Sequence, residues 1–176
     1  MRYFFLLSLL LSGCGYQWGP PASLPVVAVP YIAGDAEGTL TSELTKTVAA
    51  SGLAHVAFLE EASYFIDVQM VDANHKVIGY GRVAGELSDQ EARKTVTVQA
   101  ALREKKSGKA IFGPIQIEAS TDYDYISQGT SRELFPFSLG QLATESIAEE
   151  TAMRPLEGEL ARKIVDALFR SWYTHD

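Results

Sequence analysis

Residues 93–105 read RKTVTVQAALREK, and this stretch decides the fold class. Its side chains alternate between two sets, the apolar Val96, Val98, Ala100 and Leu102 and the polar Thr95, Thr97, Gln99 and Arg103. A period of two is the spacing of a β-strand, because successive side chains point to opposite faces of a sheet. One apolar and one polar face are typical of an antiparallel sheet that is covered on one side only. The stretch therefore predicts a half-buried strand.

Three more segments have long extended patterns. Residues 64–71 alternate in the same way, and residues 76–83 predict a weaker strand that two glycines loosen. Residues 110–125 run extended and place three isoleucines on one side, Ile111, Ile115 and Ile117. A further β-branched stretch, residues 24–33, predicts a strand whose two prolines place it at a sheet edge or mark its ends. We expect a sheet of four to five strands.

Helical spacing occurs twice. Residues 39–51 place their apolar side chains on one helix face, at Leu40, Leu44 and Val48. Gly52 follows as a stop signal. After Pro155, apolar side chains recur every four positions, at Leu156, Leu160, Ile164 and Leu168. This second pattern predicts an amphipathic helix that packs on the sheet.

The order of strand, helix, strands and helix predicts an α+β fold. We expect a two-layer sandwich in which a mainly antiparallel sheet carries two or three helices on one face. Residues 138–141 read SLGQ, match a helix-capping box and predict a helix start there. We assign residues 24–176 to a single domain, because about 150 residues per domain is usual.

The first residues of the chain differ in character from the rest. A basic start, Met1-Arg2, precedes an apolar run over residues 3–11. That run is shorter than the roughly 20 residues that span a bilayer, and it fits a secretory signal. Residues 11–14 read LSGC and resemble the bacterial lipobox, a motif whose cysteine receives a lipid.

The lipobox resemblance divides the N-terminal region. It implies a signal peptide over residues 1–13 and a lipidated linker over residues 14–23. Cys14 would carry a covalent diacylglycerol and an N-acyl chain, with no other cofactor. Gly15 follows where an Asp would imply retention in the inner membrane, so the resemblance implies an outer-membrane address. The alternative is a buried N-terminal helix that ends at Gly13 and leaves Cys14 inert.

The composition excludes several classes of function. Lys and Arg total 15 against 22 Asp and Glu, and this net charge of −7 argues against nucleic-acid binding. A single cysteine excludes an internal disulfide and a zinc site of several cysteines. The three histidines lie in separate segments and predict no metal site. No nucleophile elbow or phosphate-binding glycine loop is present. We therefore predict that the protein is not an enzyme. The alternative, a lipid-tethered periplasmic enzyme, is supported by no set of catalytic residues in the sequence.

Four segments together resemble one family. They are residues 14–18 (CGYQW), residues 26–30 (VVAVP), the first helix with Leu44, and residues 161–172 (ARKIVDALFRSW). They are similar to the LptE family of lipopolysaccharide-assembly lipoproteins. The resemblance implies a periplasmic domain that sits inside or beneath an LptD-like outer-membrane β-barrel and helps deliver lipopolysaccharide. The alternative is a lipid-anchored accessory subunit of another envelope secretion or efflux complex.

Direct contact with lipopolysaccharide would require cations for the glycolipid phosphates. The densest group of cations surrounds the predicted turn at Ser107-Gly108 and comprises Arg103, Lys105, Lys106 and Lys109. Arg93 and Lys94 form a second candidate set at the other end of the same predicted strand. Lysines at a sheet edge also protect against edge-to-edge aggregation, so both interpretations stay open.

Overall fold

The computed structural model describes residues 24–83, 86–125 and 145–174. The elements in chain order are β1 (Val26–Ala28), α1 (Thr39–Ser51), β2 (His55–Val56), β3 (Tyr64–Val83), β4 (Glu86–Glu104), β5 (Ala110–Asp124) and α2 (Glu145–Thr174). The strands form one sheet in the order β2-β1-β3-β4-β5. Both helices contribute to the core against this sheet, so the predicted α+β two-layer fold is confirmed. The leader, the linker and the capping box lie outside the described residues.

The sheet is mixed, whereas the sequence predicts a mainly antiparallel one. Strands β3, β4 and β5 are antiparallel, but β1 runs parallel to both of its neighbours. Val27 pairs with Val56 on one side and with Tyr64 on the other. The reason is the helix α1, which connects β1 to β2 and returns the chain to the same end of the sheet.

The two segments predicted at residues 64–71 and 76–83 form one long strand, β3. An irregularity between Met70 and Asp72 adds one residue to β3 relative to β4. Inward-facing positions therefore change from even to odd numbers, and Ala73 lies opposite the buried Val96. A β-bulge of this kind interrupts the period of two without interrupting the strand. The predicted weakness at Gly79 corresponds to two further irregularities in the pairing.

The predicted alignment of three isoleucines on β5 is wrong at its first member. Ala100 pairs with Ile115 and Leu102 pairs with Phe112, so β5 has one extra residue at Gly113. Gly113 has φ +86°, a left-handed conformation that favours glycine. A second irregularity leaves Ile111 unpaired, because Leu102 pairs with Phe112 and Arg103 pairs with Ala110. Ile111 is therefore 47% exposed, and Phe112 packs on the core instead.

The core lies between the two helices and the inner face of β3, β4 and β5. Leu160, Ile164 and Leu168 of α2 are fully buried in it, as their spacing predicts. The helix α2 continues through Pro155, which lies on its exposed side. It therefore extends further towards the N-terminus than the apolar pattern after Pro155 predicts. No helix among the described residues has the length and apolar character that a membrane crossing requires.

Candidate functional site

The β4–β5 turn presents three of the six predicted cations to solvent. Gly108 adopts φ +66°, and its N–H donates to the Glu104 carbonyl at 2.8 Å, which closes the turn. Lys105, Lys106 and Lys109 are exposed around it. The Lys105 ammonium donates to the Glu60 carbonyl at 2.5 Å. Across the described residues, the ammonium groups of Lys106 and Lys109 have no acceptor.

The remaining three cations are paired with carboxylates. Arg103 Nε donates to Asp67 Oδ2 at 2.7 Å on the uncovered face of the sheet. Arg93 makes two hydrogen bonds to Asp122 on the same face, at 2.6 and 2.8 Å. Lys94 points to the opposite face and contacts Glu149 of α2 at 2.5 Å.

The structure therefore separates the second candidate set. Because Arg93 and Lys94 are neighbours in one strand, their side chains lie on opposite faces of the sheet. They cannot bind one phosphate together, and each already has a carboxylate partner. The pairing also holds the pKa of the Asp122 carboxyl below its ordinary value, chiefly through the hydrogen bond from Arg93. Of the predicted cations, Lys106 and Lys109 are the ones best placed to meet a new anion.

The uncovered face of the sheet is polar and carries paired charges as well as unpaired ones, such as the exposed Glu118 two residues along β5 from Gln116. Gln69, Gln99 and Gln116 face each other across β3, β4 and β5 in one exposed row. The Arg103–Asp67 and Arg93–Asp122 bridges lie on the two sides of this row along β4. We name this surface, defined by these residues, the glutamine face. The three amide side chains at its centre offer uncharged hydrogen-bond donors and acceptors to a polar partner.

A cleft of about 420 Å³ lies on the covered side of the sheet, between the loop before α1, strands β3 and β4, and helix α2. Its floor is apolar and includes Leu40, Met70, Val96, Met153 and Leu160. Its charged lining is mainly acidic and comprises Asp35, Glu37, Glu149, Glu150 and Glu157, with Lys94 and Arg154. Since acids outnumber bases there, the cleft does not suit the phosphates of a glycolipid.

Two acids of the cleft are buried, and each has hydrogen-bond donors. Asp35 Oδ2 accepts from the backbone N–H and the hydroxyl of Thr41, both at 2.8 Å, and so satisfies a free N–H in the first turn of α1. Glu157 Oε1 accepts from the Thr39 hydroxyl at 2.6 Å. These contacts join the start of α1 to the middle of α2, so both acids have a structural role.

Burial raises the pKa of Glu157 above its ordinary value. The hydrogen bond from Thr39 partly offsets this effect, because it stabilises the charged form. The negative charges of Asp35, Glu37 and Glu43 raise the pKa further. A raised carboxyl pKa in the folded state means that the folded chain binds this proton more strongly than the unfolded chain does.

This shift predicts how stability depends on pH. As the pH rises above the unfolded-state pKa of Glu157, ionisation of the buried carboxyl lowers the free energy of unfolding. Glu157→Gln keeps an acceptor for Thr39 and removes the charge. We expect the variant to melt at a higher temperature than the parent at pH 7, because the buried carboxyl of the parent ionises there and the amide does not. The difference should shrink towards pH 4 in thermal melts, and an equal difference at both pH values would contradict the assignment.

Within the described ranges, no group of three or more His, Cys, Asp or Glu side chains is arranged to hold a metal ion. The site as a whole is a set of surfaces: a lysine-bearing turn, the glutamine face and an acidic cleft. These surfaces suit binding to other molecules.

The sequence from β1 to α2 matches one family of known proteins. The family model described as LptE, Lipopolysaccharide-assembly, matches residues 24–168, which run from just before β1 into the last turns of α2. The chain belongs to the LptE family. The resemblance stated from the sequence is thereby confirmed, and this LptE-family chain is a lipopolysaccharide-assembly lipoprotein of a non-enzymatic family.

Solved structures share the fold of this LptE-family chain. A minor lipoprotein from Acinetobacter baumannii superposes with a TM-score of 0.51 at 16% identity and covers 87% of this chain and 96% of its own. A Caulobacter crescentus protein described as a lipoprotein has a TM-score of 0.50 at 17% identity, with coverages of 88% and 93%. At such identities the likeness shows the fold alone. No curated protein matches the chain significantly.

The acidic cleft has no counterpart in the sequence-based predictions for this LptE-family chain. Its residues come from four separate segments, so no local pattern brings them together. The sequence of α2 does contain one indication of this cleft. Glu157, Ala161 and Val165 recur every four positions beside the main apolar stripe, and all three are buried. An acid in a buried helical row indicates a site with donors or a raised pKa.

Proposed function

We propose that this LptE-family chain is an outer-membrane lipoprotein on the periplasmic side, where it assists lipopolysaccharide transport as the partner of an LptD-like β-barrel. The observation that carries the proposal is the family match from β1 to α2. The LSGC motif supports attachment to the membrane through diacylglycerol and N-acyl chains on Cys14. The chain itself would act by binding and by placing its partner, without catalysis.

The glutamine face supports a β-barrel as the partner. The interior of an outer-membrane barrel is polar, because its apolar side chains face the lipid. A row of uncharged amide side chains can exchange water for hydrogen bonds with such a wall at little desolvation cost. Gln69, Gln99 and Gln116 extend this surface over three strands. We therefore place the barrel contact at the glutamine face.

Co-purification from detergent-solubilised outer membranes tests this proposal. The bait is the full chain with a C-terminal tag, as the parent and as two variants. Gln99→Arg adds bulk and charge at the centre of the glutamine face, and Ala49→Arg makes the same addition on the exposed side of α1. We expect a large β-barrel to co-elute with the parent and with the Ala49 variant, and to be depleted with the Gln99 variant.

Three outcomes would contradict parts of the proposal. Absence of any barrel from the parent eluate would exclude the partnership. Equal barrel recovery with both arginine variants would exclude the glutamine face as the contact. Recovery of a trans-envelope ATPase complex would favour an accessory subunit of a secretion or efflux machine. Unchanged thermal midpoints of the two variants would show that neither change acts through unfolding.

Contact with lipopolysaccharide is proposed for the turn between β4 and β5. Replacing Lys105, Lys106 and Lys109 with Ser together should weaken binding to purified lipopolysaccharide and reduce the salt dependence of that binding, because exposed charges are screened. Titration at low and moderate salt measures both effects. The control removes the same charge from exposed positions elsewhere, through Lys46→Ser, Lys76→Ser and Arg162→Ser. Unchanged affinity of the first variant would leave edge protection as the function of the turn.

A further inference from the structure

The edge of β3 that faces β1 is unpaired over most of its length. On that side β1 pairs with Tyr64 and Phe65, and the Met70 N–H donates to the Ala33 carbonyl at 3.0 Å. In the described part of the chain, no strand pairs with this edge beyond Met70, although β3 continues to Val83. The unpaired N–H and C=O groups of such an edge can bind a further strand.

The acidic cleft opens beside this free edge. Met70 and Ala73 of β3 both line the cleft, and Ala73 is exposed just beyond the point where the edge loses its partner. In a strand added there, every second side chain would point to the covered side of the sheet, where the cleft lies. The cleft volume of about 420 Å³ is within the range of roughly 300–1,000 Å³ that is usual for binding pockets.

The floor of the cleft suits an apolar side chain. Leu40, Val96 and Leu160 belong to the buried core beneath it, and Met70 and Met153 are half-buried at its surface. Methionine side chains are unbranched and flexible, so they adapt to ligands of different shape. Burial of an apolar ligand side chain on this floor would favour binding.

The rim of the cleft carries acids without a cation partner. Lys94 is paired with Glu149 at 2.5 Å, but Glu37 and Glu150 make no ion pair within the described ranges. Glu37 belongs to the loop before α1 and Glu150 to α2, so carboxylates flank the cleft on two sides. Arg154 is the one lining base that has no carboxylate partner there, and the cleft therefore keeps a negative charge.

Glu157 adds a buried carboxylate to the same cleft. Its side chain accepts from the Thr39 hydroxyl, and the residue is 7% exposed. A buried carboxylate with a single donor is unfavourable in the folded chain, and a cation in the cleft would stabilise its charged form. Groups that lower stability while they wait for a ligand are common in binding sites.

We propose that the cleft and the free edge of β3 together bind a basic, extended peptide segment of a partner protein. The segment would pair with residues 72–76 of β3, place one apolar side chain on the cleft floor and hold Lys or Arg side chains near Glu37 and Glu150. Main-chain pairing would supply affinity, and the cleft would supply specificity.

This site lies apart from the surfaces assigned above. The glutamine face is on the other side of the sheet, and the β4–β5 turn lies at the opposite end of β4 from the β3–β4 hairpin. A bound peptide would therefore leave both surfaces free for a barrel and for glycolipid. The proposal goes beyond the barrel partnership and does not depend on it or on the lipid anchor.

Titration of the purified full chain with a fluorescent peptide tests the proposal. The probe is Thr-Lys-Thr-Leu-Thr-Lys-Thr, which as a strand places Lys, Leu and Lys on one face. Glu37→Gln with Glu150→Gln removes two exposed rim carboxylates, and Glu60→Gln with Glu61→Gln is the matched control, since these acids are exposed elsewhere. At low salt we expect the rim variant to bind about three- to tenfold more weakly than the parent, and the control to bind equally.

Hydrogen exchange locates the bound peptide. We expect slower exchange of the backbone amides of residues 72–76, and unchanged exchange at residues 110–118 on the far edge of the sheet. Unchanged thermal midpoints of the two double variants would show that neither acts through unfolding.

Four results would overturn the proposal. They are no binding of the probe to the parent, equal affinity of the two double variants, protection confined to another part of the chain, and equal binding of a peptide with Glu in place of Lys. Equal binding of the fully N-methylated probe, which lacks backbone donors, would exclude the strand pairing. None of these results bears on the barrel or the anchor, because the experiment contains neither a barrel nor a membrane.

Discussion

Ile164→Ala is expected to lower the free energy of unfolding by about 2–5 kcal/mol. Ile164 is fully buried in the core, on the face of α2 that it shares with Leu160 and Leu168. The truncation removes buried methyl groups and leaves a cavity between the helix and the sheet, and both effects favour unfolding. Denaturant titration measures the change directly, with an unchanged slope as evidence that the transition remains two-state.

Arg162→Ala is the matched control for this prediction, because Arg162 is exposed on the same helix. Its effect should stay within about 0.5 kcal/mol. If Ile164→Ala were as mild as Arg162→Ala, α2 would not be part of the cooperative core. The packing of both helices on one sheet face would then have to be revised.

Cys14→Ala is expected to abolish attachment to the outer membrane. Each buried CH₂ of an acyl chain contributes about 0.8 kcal/mol, so a diacylglycerol with a further N-acyl chain gives lasting attachment. The Cys14→Ala protein cannot carry these chains and lacks the attachment that they provide. We expect uncleaved precursor or a released form, measured by intact mass and by membrane fractionation.

Gln17→Ala, three residues further along the linker, is the control and should remain lipidated and membrane-bound. A Cys14→Ala protein with the mass and fractionation of the parent would refute the lipoprotein assignment of this motif.

Local sequence patterns predicted an element correctly where its structure does not depend on the rest of the fold. The helix α1 has the predicted bounds, and Gly52 ends it in a left-handed conformation. The inner face of β4 contains the four predicted apolar residues, all fully buried. In both cases the period of apolar side chains is intact, so it reports the buried face without knowledge of the rest of the fold.

The alternation of apolar and polar side chains gave wrong predictions where a strand contains an extra residue. The bulge after Met70 reverses which residues face the core, so β3 looks like two strands separated by a polar break. Two irregularities do the same to β5, one at Gly113 and one at Ile111, and Ile111 is exposed. The parallel pairing of β1 depends on the path of α1 across the sheet, which no window of sequence contains.

The site was predictable in part. The position and exposure of Lys105, Lys106 and Lys109 follow from the turn. The neutralisation of the other cations does not follow from the local sequence, because their carboxylate partners lie 29 to 55 positions away, as in Arg93–Asp122 and Lys94–Glu149. Contacts at such separations are set by strand order and by helix placement, so composition alone overstates the charge available to a ligand.

The most direct test of the central claim, that the glutamine face contacts an LptD-like barrel, is photo-crosslinking in intact cells. A photoreactive amino acid placed at Gln99 would report what lies against the centre of that face, and the same group at Ala49 would report on the opposite layer. We predict a covalent adduct between position 99 and an outer-membrane β-barrel, with no such adduct from position 49. Absence of the adduct at position 99, or equal adducts from both positions, would contradict the account.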